Sequence, residues 1–134
     1  MLQIGDTFTL EFSFNQEQVN NFCQISGDYN PLHWDESFAA NTMFKKPIIH
    51  GALVSSMFSK VMGMDFPGTG SVYLSQFSEF KRPLYVDIVY KAVFEISSIN
   101  ISKHTAEIKT QVFELERGKL MVDGIANVLN PELF

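Results

Sequence analysis

The sequence predicts an α+β fold in which a curved antiparallel sheet wraps around one long central helix. Two observations carry that expectation. Residues 51–63 read Gly-Ala-Leu-Val-Ser-Ser-Met-Phe-Ser-Lys-Val-Met-Gly, and Ala52, Leu53, Val54, Met57, Phe58, Val61 and Met62 cover most of a helical circumference. That is the pattern of a helix buried on nearly every side. From Val72 onward the chain then reads as strand, in segments Val72 to Phe80, Tyr85 to Ser97, Ile101 to Glu116 and Lys119 to Asn130, all rich in Val, Ile, Phe and Tyr. No helix is expected between these strands, which favours this layout over a parallel α/β arrangement.

The elements follow in order. Phe8, Leu10, Phe12 and Phe14 alternate with mostly polar residues, as in a strand with one buried face. The next residues, Asn15-Gln16-Glu17-Gln18-Val19, have the signature of a helix start. Asn15 can cap, Gln18 can reach back to it, and Phe14 can staple onto Val19. Gly27 closes that helix in a left-handed conformation. Residues 27–50 mix Gly, Pro, Asn, Asp and His around a helical turn from Ser37 to Asn41, and long irregular stretches of this kind are often functional. Pro67-Gly68-Thr69-Gly70 is a turn, and Glu116-Arg117-Gly118-Lys119 a hairpin. In the strand from Tyr85, one face carries Ile88, Tyr90, Ala92, Phe94 and Ile96.

With 134 residues and no linker, repeat or charge block, residues 1–134 are expected to form one domain. Thirteen phenylalanines give an aromatic-rich interior. A net charge of −5 speaks against nucleic acid, which needs a clustered basic face. A single cysteine, Cys23, rules out an internal disulfide and reads as buried packing in an apolar helical stretch. The start, Met1-Leu2-Gln3-Ile4-Gly5-Asp6, lacks the layout of a signal peptide, and no apolar run reaches membrane-spanning length. A cytoplasmic protein without a membrane partner is the expectation.

The most specific segment is Ser26-Gly27-Asp28-Tyr29-Asn30-Pro31-Leu32-His33-Trp34-Asp35. Its turn-forming residues can fold Asp28 and His33 toward one point, and these residue types move protons near neutral pH. On the residues alone, Asp28 also reads as a turn cap and His33 as a structural histidine. Pro47-Ile48-Ile49-His50-Gly51 leads into the apolar helix. Gly51 permits close approach to the backbone, and its N–H lies at the positive end of the helix dipole, where it can stabilise an oxyanion or simply start the helix. His50 reads as a support that orients this loop. Asp28, His33, Asp35 and His50 show no recognised metal spacing, so no metal or other cofactor is expected. Gly68-Thr69-Gly70 lacks the Gly-Lys-Ser/Thr ending of a phosphate loop. Lys45, Lys46, Lys81 and Arg82 read as solvated surface or as partners for a phosphate-bearing ligand.

Together these segments resemble the MaoC-like family of (R)-specific enoyl-CoA hydratases. The matching stretches are Ser26 to His33, Phe44-Lys45-Lys46-Pro47-Ile48-Ile49-His50-Gly51, Pro67 to Ser71, and Phe80-Lys81-Arg82-Pro83. The resemblance implies the hot-dog fold, a homodimer, and an acyl-CoA or acyl-carrier-protein thioester substrate. It also implies Asp28 and His33 as the acid–base pair, Gly51 N–H as the oxyanion donor, and Ser59 as a hydrogen-bond partner orienting Asp28. Asn30 and His50 fall among the supporting residues. Met62, three residues beyond Ser59, would share its helix face and limit acyl-chain depth. One departure stands out: Val86 precedes Asp87 where the family often has Gly, which puts the local turn or strand register in question.

The reaction so implied is reversible hydration of a trans-2-enoyl thioester to the (R)-3-hydroxyacyl product. Which of Asp28 and His33 serves as acid, and which carrier bears the acyl group, stays open on the sequence. Dehydration of 3-hydroxyacyl carrier-protein substrates is the nearest alternative. A thioesterase commonly places a carboxylate on or beside the central helix, and residues 51–63 contain neither Asp nor Glu. A non-catalytic acyl-binding or scaffold subunit would need no acid–base pair.

Overall fold

A computed structural model describes residues 1–134. Strand β1 (Thr7–Phe12) is followed by helix α1 (Gln16–Ser26), a 3-10 turn (Pro31–His33), the short helix α2 (Glu36–Ala40) and the long helix α3 (Gly51–Met64). Strands β2 (Val72–Phe80), β3 (Tyr90–Asn100), β4 (Thr105–Glu114) and β5 (Leu120–Leu129) complete the chain. The five strands form one sheet in the order β1-β3-β4-β5-β2, every neighbouring pair antiparallel. This is the α+β layout expected, with four consecutive strands after the central helix.

Local chemistry accounts for the ends of α1. Asn15 accepts from Gln18 N–H while the Gln18 side chain accepts from Asn15 N–H, a complete capping box. Phe14 and Val19 are both buried in the core, as a staple requires. Gly27 has φ 78° and closes the helix by donating to Cys23 C=O at 2.8 Å.

The core lies between α3 and the sheet. Leu53, Val54, Phe58, Val61 and Met62 meet a surface that includes Ala92, Phe94, Ile96, Ile108, Val112, Val122 and Val128, all in one buried cluster. Phe58 packs edge-on against Phe94 with ring centres 5.8 Å apart. Each large apolar side chain so enclosed stabilises the fold by roughly 1.5–3 kcal/mol, enough in sum to fix where α3 starts.

Two expectations are corrected. Helix α3 is buried on one face only: Ala52, Ser56, Ser59 and Lys60 are exposed. The helical pattern counted Ala52 and the half-buried Met57 as core, whereas the sheet covers a single side. Strand β3 starts at Tyr90 and not at Tyr85. Residues 85–89 turn instead, with Asp87 at φ 60° donating its N–H to Phe14 C=O at 2.8 Å. Asp is among the few residues with a Cβ that accept this left-handed conformation. Ile88 is therefore exposed, while Tyr90, Ala92, Phe94 and Ile96 do form the buried face. No helix is long and apolar enough to cross a membrane.

The edge strand β2 is held against β5 by an unusually close approach. Opposite Ser78 stands Gly124, and a Cβ there would lie 2.2 Å from the Phe77 carbonyl oxygen. The space beside it is filled by Gln76, whose amide nitrogen donates to Phe77 C=O at 2.8 Å and to the fully buried Thr110 hydroxyl at 2.8 Å. Tyr73 donates its hydroxyl to Gln76, and burial pushes that phenol up to about 12. Gly124→Ala must therefore move a backbone, not a side-chain tip, and should cost about 1–3 kcal/mol, lowering Tm by roughly 5–10 °C. A thermal melt by circular dichroism measures this, and an unchanged Tm would show that β2 yields freely.

Candidate active site

Four side chains and one stretch of backbone converge between the end of α1 and the start of α3. The loop after α1 is shaped by its own short polar residues. Asp28 N–H donates to the Ser26 hydroxyl at 3.1 Å, Asn30 N–H to Asp28 Oδ1 at 3.1 Å, and Leu32 N–H to Asn30 Oδ1 at 3.1 Å. Successive turns of this kind are what Asp and Asn favour. They bend the chain so that the Pro31–His33 turn lies back against Asp28. Asn30 thus organises the loop backbone, and its side-chain oxygen is spent on that task.

His33 is held from two sides. Its Nδ1–H donates to Ile48 C=O at 2.7 Å, and its own carbonyl accepts from the Gln16 amide at 3.0 Å. The segment leading to α3 is tied alongside by Ile48 N–H to Leu32 C=O at 3.1 Å. With Nδ1 committed as a donor, Nε2 of neutral His33 is a lone pair. That Nε2 lies 3.9 Å from Asp28 Oδ2, with the Asp28 side chain 51% and the His33 side chain 12% exposed. The separation is too long for a direct hydrogen bond, yet one water can touch both atoms at normal distances.

His50 completes the cluster and is 3% exposed. Its ring stacks on His33 with centroids 3.7 Å apart and packs edge-on against Phe22 at 4.9 Å. Its Nε2 lies 3.3 Å from Asp28 C=O, 3.9 Å from Asp28 Oδ2 and 3.6 Å from Cys23 Sγ. Burial lowers the His50 pKa below the usual imidazole range, and the His33 ring adds to that effect, while the Asp28 carbonyl and carboxylate oppose it.

Next in the chain, Gly51 opens α3, and its N–H has no acceptor within the protein. A Cβ at Gly51 would lie 2.7 Å from Phe80 Cζ, so the Phe80 ring lies directly over this backbone. An unpaired N–H at the positive end of a helix dipole can stabilise a developing negative charge.

Ser59 and Met62 stand elsewhere. Ser59 is exposed, lies about 12 Å along the α3 axis from Gly51 at ~1.5 Å per residue, and makes no hydrogen bond to Asp28. Met62 is 1% exposed within the core cluster. The two side chains therefore do not form one open wall, and the orienting bond expected of Ser59 is not made in the single chain. Lys45 and Lys46 line a groove of about 1010 Å³, together with Gln16, Phe44, Tyr85 and Asp87, and neither Asp28 nor His33 is among its lining residues. Lys81 is paired with Glu79 at 3.1 Å.

Asp28, His33 and His50 each offer a possible metal-ligand atom within 4.8 Å of the others. The hydrogen bonding argues for a different use. The His50 nitrogen on this side is directed at a carbonyl oxygen, which requires an N–H and leaves no lone pair for an ion.

Sequence reasoning missed several contributors. Gln16 and Ile48 hold His33 through long-range contacts, and Phe80 covers Gly51 from a strand edge; nothing in local spacing marks them. The Cys23 contact with His50 was likewise hidden, although its burial was expected.

The sheet and central helix form a hot-dog layout with Asp28 and His33 facing each other at the mouth of the helix, which bounds the class of protein. The comparisons narrow it: the MaoC like domain matches residues 3–117, and the chain belongs to that family. It is 39% identical over 130 residues to the (R)-specific enoyl-CoA hydratase of Aeromonas caviae, covering 97% of this chain and 96% of that one. It is 30% identical over 135 residues to a mitochondrial 3-hydroxyacyl-[acyl-carrier-protein] dehydratase of Arabidopsis thaliana, covering 99% and 80%. The solved (R)-hydratase from A. caviae, described as involved in PHA biosynthesis, superposes with a TM-score of 0.92 over 97% of this chain and 98% of that chain. An unliganded R-hydratase from Pseudomonas aeruginosa, 33% identical, gives 0.89 over 97% and 83%.

The thiol provides a check on the packing. Burial, and secondarily the Asp28 charge, raise the Cys23 pKa above its ordinary value, so the group stays a neutral thiol at pH 7 to 8. Ellman's reagent should therefore react with Cys23 at least about 10²-fold more slowly in native protein than in denaturant. Rapid reaction of the native protein would mean that α1 does not cover this side of the site.

Proposed function

We propose that this chain is an (R)-specific enoyl-CoA hydratase, a cofactor-free hydro-lyase that adds water reversibly to trans-2-enoyl thioesters. The observation that carries the reading is the facing pair, His33 Nε2 and Asp28 Oδ2 at 3.9 Å, beside the unpaired Gly51 N–H. The thioester carbonyl accepts from Gly51 N–H, which draws electron density from the double bond and makes C3 electrophilic. A water held by Asp28 and His33 adds its oxygen to C3. One member of the pair takes the proton that water loses, and the other delivers a proton to C2. Hydration thereby consumes one water and leaves the pair's total proton count unchanged. Dehydration runs the same steps backward.

The family relationship supports this chemistry, and the 39% identity to a hydratase named for CoA substrates favours that carrier. The mitochondrial dehydratase relative favours a second reading, in which the acyl group is borne by a carrier protein and water is removed. Comparing kcat/KM for crotonyl-CoA and the crotonyl carrier-protein thioester separates them.

Residues 1–134 form one hot-dog domain in this reading, and two copies pair. Strand β2 is a sheet edge with Val72, Leu74, Phe77 and Phe80 exposed. The uncovered face of α3, with Ala52, Ser56 and Ser59, lies beside it across a groove whose lining includes Tyr73 and Gln76. An exposed apolar edge is a template for pairing, and a second copy covers it symmetrically.

Two experiments test these statements. Asp28→Asn and His33→Gln should each keep the wild-type circular dichroism spectrum and lower crotonyl-CoA hydration by at least about 10²-fold in kcat. A folded variant that kept more than about a tenth of wild-type turnover, well short of that loss, would remove its residue from the pair. Static light scattering at micromolar concentration should return twice the chain mass; a monomer mass would defeat the pairing.

A further inference from the structure

His50 makes contacts that the reaction as written does not use. It is almost fully buried, it is flanked by the two residues of the acid–base pair, and its Nδ1 has no hydrogen-bond partner. An unpartnered buried polar atom beside a reacting centre calls for an explanation.

The geometry fixes the protonation pattern. Nε2 faces the Asp28 carbonyl at 3.3 Å, so this nitrogen carries the hydrogen. Nδ1 is then a lone pair, and an unpaired lone pair is the less costly orphan. A second proton would place an unpaired N–H in the interior and a positive charge against the His33 ring at 3.7 Å. The titratable groups facing His50 are Cys23 from α1, Asp28 from the loop after it, and His33 from the 3-10 turn. Of these only the half-exposed Asp28 carboxylate would favour a cation.

We propose that His50 is a positioning residue, a permanently neutral imidazole whose Nε2–H fixes the Asp28 main chain while its ring face fixes the plane of His33. The proposal rests on the reading of Asp28 and His33 as the acid–base pair. It assigns His50 a task neither of them performs: His33 is set by Ile48 in the ring plane and by His50 along the ring normal, and Asp28 is set by its backbone and not through its carboxylate. His50 immediately precedes Gly51, so the same residue also ties the pair to the unpaired N–H that opens α3. Neutrality matters for turnover as well, because it lets His33 take up a proton without a like charge stacked on it.

Two variants separate this role from mere packing. His50→Gln keeps an amide N–H near the Nε2 position but loses the ring. His50→Phe keeps the ring and its stacking but loses the donor. A positioning donor predicts turnover in the order wild type, Gln, Phe, with His50→Phe down about 10²-fold in kcat and both KM values within about threefold. A packing residue predicts the reverse order, and His50→Phe equal to or better than His50→Gln overturns the proposal. The second measurement needs no variant. In 15N–1H spectra of histidine-labelled wild-type protein, His50 should be the neutral Nε2–H tautomer at pH 7 and stay neutral to lower pH than a free imidazole does. A charged His50 at pH 7, or the Nδ1–H tautomer, overturns it even if both variants fail to fold. Asp28→Asn distinguishes the two levels: if that variant is inactive while His50→Phe turns over normally, this inference alone fails.

Discussion

The burial of one face of α3 against the sheet is the constraint from which the site follows. Phe58, Val61 and Met62 are enclosed to within 1% of full burial, so the helix cannot slide or rotate without opening cavities. That fixes its first turn, and with it Gly51 and His50. The approach segment is then pinned at three points: Ile48 N–H on Leu32, Ile48 C=O under His33, and Ile49 N–H on Leu84 C=O at 2.8 Å. A helix–sheet core thus sets the positions of an imidazole and a backbone N–H at its edge.

The chemical consequence is a division of labour by burial. His50 and Cys23 lie inside and are kept neutral by desolvation. His33 sits at the boundary with one nitrogen committed inward and the other facing out. Asp28 stands half exposed, where water has access. The proposed reaction needs that boundary: buried enough that the donors are fixed, open enough that a thioester can enter. Short polar loops place the pair, while the rigid helix beneath places the unpaired Gly51 N–H. Function on loops over a rigid scaffold is the common arrangement for such sites.

Much of this was legible in the sequence where the determinants are local. The Asn15–Gln18 capping box, the left-handed Gly27 and the buried run of alternate residues from Tyr90 to Ile96 need only neighbours along the chain to be read. The Asp28–His33 pair was legible because turn-forming residues lie between them. What was not legible depends on the other side of the fold. The periodicity of residues 51–63 cannot say which face the sheet covers, so Ala52 and Met57 were counted with the core although Ala52 is exposed and Met57 only half buried. The strand signal at Tyr85 hid a turn because Asp87 holds the left-handed conformation without being glycine. Gly124 looked like any strand residue, though the β2 backbone lies where its Cβ would be. The His50–His33 stack joins residues whose contact no spacing rule reports.

The central claim is that Asp28 and His33 act as one unit on one water. A double-mutant cycle on kcat for crotonyl-CoA hydration tests it most directly, using Asp28→Asn, His33→Gln and the pair combined. Residues that work on the same proton transfers are strongly non-additive, so the double variant should be no more than about threefold slower than the slower single variant. Losses that multiply, with the double variant slower by the full product of the two single effects, would mean that the two side chains act independently and would contradict the account.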